Sequence, residues 1–357
     1  MKVSILGNGL TSLTLAKTLV NQGIRVDIFS NEKMKKYCNT QTIGISKTNI
    51  DFFNANIIDI KKLLWGINEI EIYSENFKNE KILNFKKKNE QLFSIIRNID
   101  LYKHLFLNLN KNKLFNLKKK IDPTKLMKSD YKLIFNCEQN NIISKKFFYK
   151  KINKNYNSFA YVTSIKHEKK LNNHIASQIF TKMGPLAFLP VSSTETSVVY
   201  SVKGKKNIDL EHLINKYNSR YKISEIKKYS FYELKSSNLR SYYHENIIAF
   251  GDLLHRLHPL AGQGFNMIIR DIEQLNKLIK FKKEHGLDLD SSICLDFEKK
   301  TKNKNYLFSS SIDLIYEFFN LESKFKNDKL SKSIKFLGKN KFVNKLFTKF
   351  ADNGFVI

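Results

Sequence analysis

The hydrophobic pattern at the start of the chain predicts a strand, a helix and a second strand. Val3, Ile5 and Leu6 predict a short buried strand, and residues 13–20 repeat apolar positions at helical spacing. Ile24, Val26, Ile28 and Phe29 supply the second strand. The turn between the first strand and the helix contains Gly7 and Gly9, two of the three glycines of the G-x-G-x-x-G dinucleotide fingerprint. This pattern predicts either an ordinary β–α–β unit or one whose helix N-terminus holds a pyrophosphate.

The middle of the chain has a different pattern. Residues 158–203 read as several strands separated by turns, without the helices that connect parallel strands, so we expect an antiparallel sheet in a second domain. Pro185 and Pro190 predict either an edge strand or a strand that lines a substrate pocket. The Lys- and Asn-rich stretches 108–120 and 150–157 are interpreted as solvated loops.

A dense polar segment follows the apolar residues 247–250. The sequence "GDLLHRLHPLAGQGFNMIIRD" (251–271) leads into apolar positions at helical spacing, which predicts a strand, a polar loop and a helix. The N-terminus of such a helix offers free N–H groups to an anion, and the glycines let a flat ligand approach the backbone. Asp252 either accepts hydrogen bonds from ligand hydroxyls or caps the strand end.

The composition limits the kinds of partner that we expect the protein to bind. The 357-residue chain carries a formal net charge of +29, but only six of its 62 Lys and Arg residues are arginines. Nucleic-acid readers use the bidentate guanidinium, so this lysine excess argues against nucleic-acid binding and favours an anionic membrane surface. Cys38, Cys137 and Cys294 lie far apart, which suggests neither a disulfide framework nor a zinc site.

The sequence also bears on location. We expect no signal peptide, because the first apolar run enters its glycine turn too soon, and no run approaches the roughly 18 apolar residues of a membrane span. The tail 331–350 has apolar residues near helical spacing, six lysines and no acid. It predicts either a helix packed on the core or a contact with anionic lipid. The expected location is cytoplasmic, peripheral to the inner (cytoplasmic) membrane.

The polar segment resembles the flavin-dependent aromatic monooxygenases, in the branch of the ubiquinone-biosynthesis hydroxylases. The hallmark of that branch is GD-x-x-H…HP-x-AGQG-x-N-x-x-x-x-D. It is matched here by Gly251, Asp252, His255, His258, Pro259, Ala261, Gly262, Gln263, Gly264, Asn266 and Asp271. The resemblance covers roughly residues 1–320.

An alternative interpretation of His255 and His258 is that they bind a metal ion together, but no third ligand stands nearby in the sequence.

The resemblance implies an α/β fold in which a Rossmann-like FAD-binding domain is interrupted by an antiparallel-sheet substrate domain and followed by a helical C-terminus. The implied FAD-binding domain comprises residues 1–65, 90–145 and 238–290. The substrate domain comprises 66–89 and 146–237, and residues 291–357 form the helical region. The resemblance implies FAD contacts at Gly7, Gly9, Leu10, Gln41, Asp252, Pro259, Gly262, Gln263, Gly264, Phe265 and Asn266.

The resemblance further implies a hydroxylase that acts on the aromatic ring of a polyprenyl-phenol ubiquinone precursor, with O2 and NAD(P)H as co-substrates. Three positions depart from the pattern: Ser30 replaces the ribose-binding acid, Gln41 replaces an Arg, and residues 136–141 replace a Gly-Ala-Asp-Gly turn. Glu32 is a candidate substitute for the missing acid. These departures keep open a second hypothesis, a weakly active or non-catalytic relative that serves as a partner in a membrane-associated biosynthetic complex.

Overall fold

The computed structural model describes residues 1–31, 40–75, 80–86, 91–119, 121–204, 207–258 and 262–325. Its strands are β1 (Lys2–Leu6), β2 (Arg25–Ser30), β3 (Thr42–Ser46), β4 (Trp65–Ile67), β5 (Glu69–Ser74), β6 (Glu80–Lys86), β7 (Phe93–Arg97), β8 (Phe115–Lys119), β9 (Leu133–Asn136), β10 (Lys151–His167), β11 (Ile175–Thr181), β12 (Gly184–Pro190), β13 (Glu195–Lys203), β14 (Ile223–Ile226), β15 (Ser230–Leu239), β16 (Tyr243–His244), β17 (Ile247–Ala249) and β18 (His255–Arg256). Its helices are α1 (Leu10–Asn21), α2 (Lys47–Asn56), α3 (Asn98–Asn110), α4 (Pro123–Met127), α5 (Ile142–Phe147), α6 (Leu210–Tyr217), α7 (Gln263–Glu284) and α8 (Ser292–Phe325), with short 3-10 turns at Lys61–Leu63 and Gly251–Leu253.

A six-stranded sheet contains both the first strand of the chain and the strand that precedes the polar segment. Its order is β16-β17-β9-β1-β2-β8, and all pairs are parallel except β16 with β17. Residues 3–6 of β1 are fully buried, as expected of a central parallel strand that is covered on both faces. One hydrophobic core joins this sheet to α1, α3 and α7.

A nine-stranded sheet forms the second layer, in the order β18-β15-β10-β13-β12-β11-β5-β6, with β14 on β10. Apart from the parallel pair β5 and β11, its described pairs are antiparallel. Its own hydrophobic core lies between one sheet face and α6. The parallel sheet, the antiparallel layer and the helices α7 and α8 confirm the predicted fold class.

Two local expectations were wrong, and one alternative is excluded. The strand that contains Pro185 and Pro190 is not at an edge, because β12 pairs with β11 on one side and β13 on the other, so the pocket-lining alternative remains a prediction. The ring nitrogens are tolerated because the prolines stand near the two ends of the strand. The stretches 108–120 and 150–157 are not loops throughout. They contain β8 and the first half of β10, whose exposed positions accommodate Lys and Asn.

A small sheet of β3, β7 and β4 lies between the two large ones. Arg97 Nη2 at the end of β7 donates to Glu195 Oε2 at 2.8 Å, and Thr42 Oγ1 on β3 donates to Ser197 Oγ at 3.0 Å. Apolar side chains of β4 and β7 pack on β11 and on Val191 beside β12. These contacts fix β3 next to the nine-stranded sheet.

No helix among the described residues is both long and apolar enough to cross a membrane. The tail 331–350, for which lipid contact was an alternative, lies outside the described residues, as do Glu32 and Cys38.

A buried carboxylate in β2 ties three strands together. Asp27 is fully buried between Ser4 of β1 and Asn116 of β8. Its side chain accepts hydrogen bonds from Asn116, Tyr131, Lys2 and Lys118, the two lysines at 3.1 and 2.7 Å. Burial alone would raise the pKa of Asp27, but these hydrogen bonds outweigh burial and lower the pKa to about 2.

We expect Asp27→Asn to lower the free energy of unfolding by about 2 to 4 kcal/mol at neutral pH, because it removes charge-assisted hydrogen bonds inside the sheet. Since the folded pKa lies below the ordinary 3.8, the contribution of Asp27 is full above about pH 4 and is lost as the pH falls toward 2. Denaturant titrations at several pH values measure both effects. The exposed Asp51→Asn is the control, and equal stability of the two variants would contradict the prediction.

Candidate functional site

Three parallel strands end at one edge of the six-stranded sheet, and their following residues meet there. Gly7 follows β1, residues 137–139 follow β9, and Gly251 follows β17. Gly7 and Gly251 both have left-handed backbones, with φ of 106° and 65°. A Cβ on Gly251 would lie 2.7 Å from Thr11 Cγ2 of α1, so only glycine allows this close approach. Ligands of open α/β sheets bind at such an edge.

The N-terminus of α1, which follows the turn at Gly7 and Gly9, has no side-chain cap. Gly9 occupies the N-cap position in an extended conformation, and the first helical turn contains no acid. The side chain of Leu10 is buried in the core, so this residue can offer a ligand only its backbone. An uncapped helix start beside a glycine turn is a suitable place for a pyrophosphate.

The turn after β9 is built by its own polar side chains. Asn136 is fully buried and exchanges hydrogen bonds with Asn141, whose Oδ1 also caps α5 through Ser144 N at 2.8 Å. The Glu138 side chain stands against the first glycine turn, since a Cβ on Gly7 would lie 3.2 Å from Glu138 Cγ. A carboxylate therefore lies beside the place expected for a pyrophosphate.

Asp252 lies on the surface of this edge. Its backbone oxygen accepts a hydrogen bond from Gln139 Nε2 at 2.7 Å, and its side chain is exposed. The carboxylate is therefore accessible to a ligand.

The start of α7 is fixed by the side chain of Asn266. Its Oδ1 accepts from Ser46 N at 2.9 Å and from Asn49 Nδ2 at 2.8 Å. Its Nδ2 donates to the carbonyl oxygens of Gly44 at 2.9 Å and Gly262 at 3.2 Å. Because the amide is fully used inside the protein, Asn266 can contact a cofactor only through its backbone.

The two glycines of this helix start have different roles. Gly262 has φ of 63°, and a Cβ there would lie 3.4 Å from the backbone nitrogen of Gly44. Gly264 is helical, and a Cβ there would meet no atom within 4 Å. From the sequence alone, a Cβ at Gly264 is expected either to obstruct a flavin ring or to force an unfavourable backbone angle. The helical backbone at Gly264 excludes the second alternative, because the left-handed residue is Gly262.

Gln263 has the property expected of a ligand contact. It is 9% exposed, and its Oε1 has no hydrogen-bond partner among the described residues. A buried acceptor without a partner costs free energy, so a donor from a bound group would stabilise it. Phe265 is half-buried against the core.

Gln41 directly precedes β3, three residues before Gly44, and its carbonyl oxygen accepts from Asn98 N at 3.0 Å. Ser30, where the family pattern has an acid, is the last residue of β2. Pro259 and Ala261 lie outside the described residues.

The two histidines of the polar segment contact different partners. His255 Nε2 hydrogen-bonds the Asp271 carboxylate, whose other oxygen accepts from Asn305 Nδ2 of α8 at 2.8 Å. His258 packs on the rings of Tyr156 and Tyr316. Because the two histidines contact different partners, a structural role is favoured over a shared metal ion.

Sequence reasoning missed two residues near Asp252. Burial raises the pKa of Tyr232. The charge of Arg256 opposes this rise and the charge of Asp252 adds to it, so both groups lie near the tyrosine. Arg256 Nη2 donates to the Glu233 carbonyl at 3.3 Å. Its position as one of only six arginines, within the polar segment, was a signal in the sequence.

Comparison with known proteins gives the following. No family model matches the chain. The "Ubiquinone biosynthesis monooxygenase COQ6, mitochondrial" of Xenopus tropicalis is 25% identical over 210 residues, 46% of this chain and 45% of that protein. The match thus spans about half the length of this curated relative. The crystal structure of p-nitrophenol 4-monooxygenase PnpA from Pseudomonas putida DLL-E4 has a TM-score of 0.78 at 12% identity and covers 99% of this chain and 98% of PnpA.

The resemblance to the FAD-dependent aromatic monooxygenases is confirmed. Klebsiella pneumoniae HpxO, crystallised with FAD and uric acid, has the same fold, with a TM-score of 0.76 at 10% identity over 98% of this chain and 97% of HpxO. At these identities the solved structures show the fold alone. In sequence, the chain is similar to the ubiquinone-biosynthesis monooxygenases.

We expect Gly262→Ala to lower the free energy of unfolding by about 1 to 2 kcal/mol, because its left-handed backbone disfavours a Cβ. Gly264→Ala should be neutral or stabilising by up to about 1 kcal/mol, because alanine is favoured within a helix. Thermal or denaturant unfolding of the ligand-free variants measures this difference. The reverse order of stability would show that the left-handed residue is misassigned.

Proposed function

We propose that the chain binds FAD between the sheet edge at Gly7 and Asp252 and the start of α7 at Gly262, and that it hydroxylates the aromatic ring of a polyprenyl-phenol ubiquinone precursor. The observation that carries this proposal is the meeting, at one edge of the parallel sheet, of the uncapped start of α1 and the Gly251 turn, which the exposed Asp252 follows. Gly7 and Asp252 lie far apart in the sequence, and the parallel sheet brings them together.

The described residues fit the cofactor. The start of α1 supplies backbone N–H groups for the pyrophosphate, and Asp252 accepts hydrogen bonds from the ribityl hydroxyls. The start of α7 places N–H groups and the positive end of its dipole near the electron-rich edge of the flavin ring. Gln263 Oε1, a buried acceptor, meets a donor there, and the open space over Gly264 admits the ring.

The proposed reaction consumes one O2 and one NAD(P)H. One oxygen atom replaces a ring hydrogen as a hydroxyl group, and the other leaves as water with the two electrons from NAD(P)H and a proton. Bound FAD supplies the redox chemistry and the activation of O2. The chain would orient the ring and exclude water. β3, whose Gly44 lies beside Gly262, is held to the nine-stranded sheet by the hydrogen bond from Thr42 to Ser197.

A polyprenylated phenol partitions into a membrane, so we propose a peripheral contact with the inner (cytoplasmic) membrane. The large excess of lysine supports this part of the proposal, because scattered positive charge attracts anionic lipid without precise geometry.

A second candidate function is a weakly active or non-catalytic partner in a complex of ubiquinone-biosynthesis proteins. The position of Glu138 against Gly7 favours it, because a carboxylate there repels a pyrophosphate and weakens FAD binding.

We expect Asp252→Ala to weaken FAD binding about tenfold to a hundredfold, because it removes an anionic acceptor worth about 1 to 3 kcal/mol to ligand hydroxyls. Titration of the apoprotein with FAD, followed by flavin fluorescence or the visible absorption band, gives the Kd. Circular dichroism should show that the variant remains folded, since the replaced side chain is exposed. An unchanged Kd in a folded variant would remove Asp252 from the site.

Glu138→Gln should strengthen FAD binding about threefold to tenfold, because it removes one negative charge near the pyrophosphate in a partly solvated setting. The same titration at low and moderate salt measures the gain, which should shrink as salt screens the charge. Glu284→Gln, at the exposed far end of α7, makes the same change in net charge and is the control. A gain of equal size in both variants would reflect net charge alone and contradict the assigned pyrophosphate position.

A further inference from the structure

His258 is enclosed by two tyrosines from different elements. It is 1% exposed, and its ring centroid lies 4.3 Å from that of Tyr316 on α8 and 4.7 Å from that of Tyr156 on β10. The two tyrosine rings lie 5.0 Å apart at 75° to each other. We call Tyr156, His258 and Tyr316 the aromatic box.

Hydrogen bonds fix both tyrosines of the box. Tyr156 Oη donates to the Asp313 carboxylate of α8, and Tyr316 Oη lies 3.2 Å from Ser158 Oγ of β10. Each of these hydrogen bonds joins β10 to α8. The box therefore has a defined shape and attaches α8 to the nine-stranded sheet.

The box stands at one end of the segment that leads to the proposed ring site. His258 precedes Gly262 by four positions, and Gly262 is fixed by its left-handed backbone, its approach to Gly44 and its bond to Asn266.

Two further contacts connect α8 to the same stretch of chain. Asn305 of α8 donates to Asp271, which also binds His255, and the Arg270 guanidinium lies 4.3 Å from the ring centroid of Phe308. Together with the box, they place one face of α8 along the polar segment and the first turns of α7. Movement of α8 would shift residues on both sides of Gly262.

The box favours a neutral imidazole. Burial, and to a smaller extent the positive charge of Lys154, lowers the pKa of His258 to about 3. The other charged groups around the box are Asp313 and Glu317, and Glu317 is paired with Lys154 at 3.0 Å. The neutral ring packs against two aromatic rings, edge to face at 84° with Tyr156 and tilted at 34° to Tyr316, without the desolvation cost of a cation.

We propose that His258 is a positioning residue: seated in the aromatic box, it holds α8 against β10 and, through the contacts of α8 with Arg270 and Asp271, fixes the start of α7 and so sets the affinity and redox potential of a flavin bound there. This inference rests on the proposed function. It assigns the C-terminal helix a part in the geometry of the cofactor site, although the described part of α8 supplies none of the expected cofactor contacts.

The test compares His258→Ala, His258→Phe and Tyr316→Leu with the parent. Tyr306→Leu, on the exposed side of the same helix, is the matched control for removal of a tyrosine. For each folded variant, the FAD Kd and the midpoint potential of the bound flavin are measured. We expect His258→Ala and Tyr316→Leu to raise the Kd about threefold to thirtyfold and to shift the potential. His258→Phe, a neutral ring of similar shape, and the control should match the parent.

A pH series provides a readout that a purely structural role would not give. Since the pKa of His258 is lowered from 6.5 to about 3 in the box, the box is fully stable above 6.5 and is weakened as the pH falls below it. FAD affinity of the parent should decline over that range more steeply than that of His258→Phe. Parallel pH profiles would overturn the role of the neutral imidazole.

The outcomes separate this inference from the proposed function. A parent that binds no FAD contradicts the proposed function itself. A parent that binds FAD, with His258→Ala and Tyr316→Leu folded and unchanged in Kd and potential, overturns the positioning role alone. A His258→Phe variant as impaired as His258→Ala would also overturn it, because packing in the box would then not be the cause. If His258→Ala fails to fold, Tyr316→Leu and His258→Phe still decide the question.

Discussion

The hydrogen bonds of one side-chain amide determine how the candidate site is arranged. Asn266 joins the start of α7 to β3, to α2 and to the carbonyl of Gly262. Because all of these groups are buried, losing the amide would leave several backbone and side-chain groups unpaired at once. The bonds require Gly262 to approach Gly44 closely, and this approach is compatible only with a residue that tolerates a left-handed backbone.

A consequence is that the signature residues of the polar segment divide into two groups. Asn266, His255 and Asp271 use their side chains inside the protein and hold α7, α8 and β3 in place. Asp252, Gln263 and Gly264 leave an exposed carboxylate, a buried acceptor without a partner among the described residues, and open space, which are the features that the proposed FAD site uses. A motif of this kind describes a scaffold as much as a binding site, and a relative that lost activity would retain the first group for stability alone.

The sequence predicted the parts of the structure that local pattern determines. The β–α–β opening, the strand before Gly251 and the helix after it follow from hydrophobic periodicity and glycine placement. Sequence analysis missed the edge strand β8 and the first half of β10. Their exposed positions carry Lys and Asn, and the buried positions on the other face are too few to give a recognisable apolar alternation. The roles of Gly262 and Gly264 could not be separated, since which one is left-handed depends on the contact with Gly44. Tyr232 and the members of the aromatic box are brought to their sites by elements far apart in the sequence, and no spacing along the chain indicates them.

The most direct test of the account is the fate of labelled oxygen in a single turnover experiment. FAD-loaded protein, NAD(P)H and a phenol carrying a short prenyl chain are incubated under oxygen-18 gas, and the product is examined by mass spectrometry. The account predicts a hydroxylated ring that contains one labelled oxygen atom, formed only when FAD and NAD(P)H are both present. Consumption of NAD(P)H without ring hydroxylation, or a hydroxyl group whose oxygen comes from water, would contradict it.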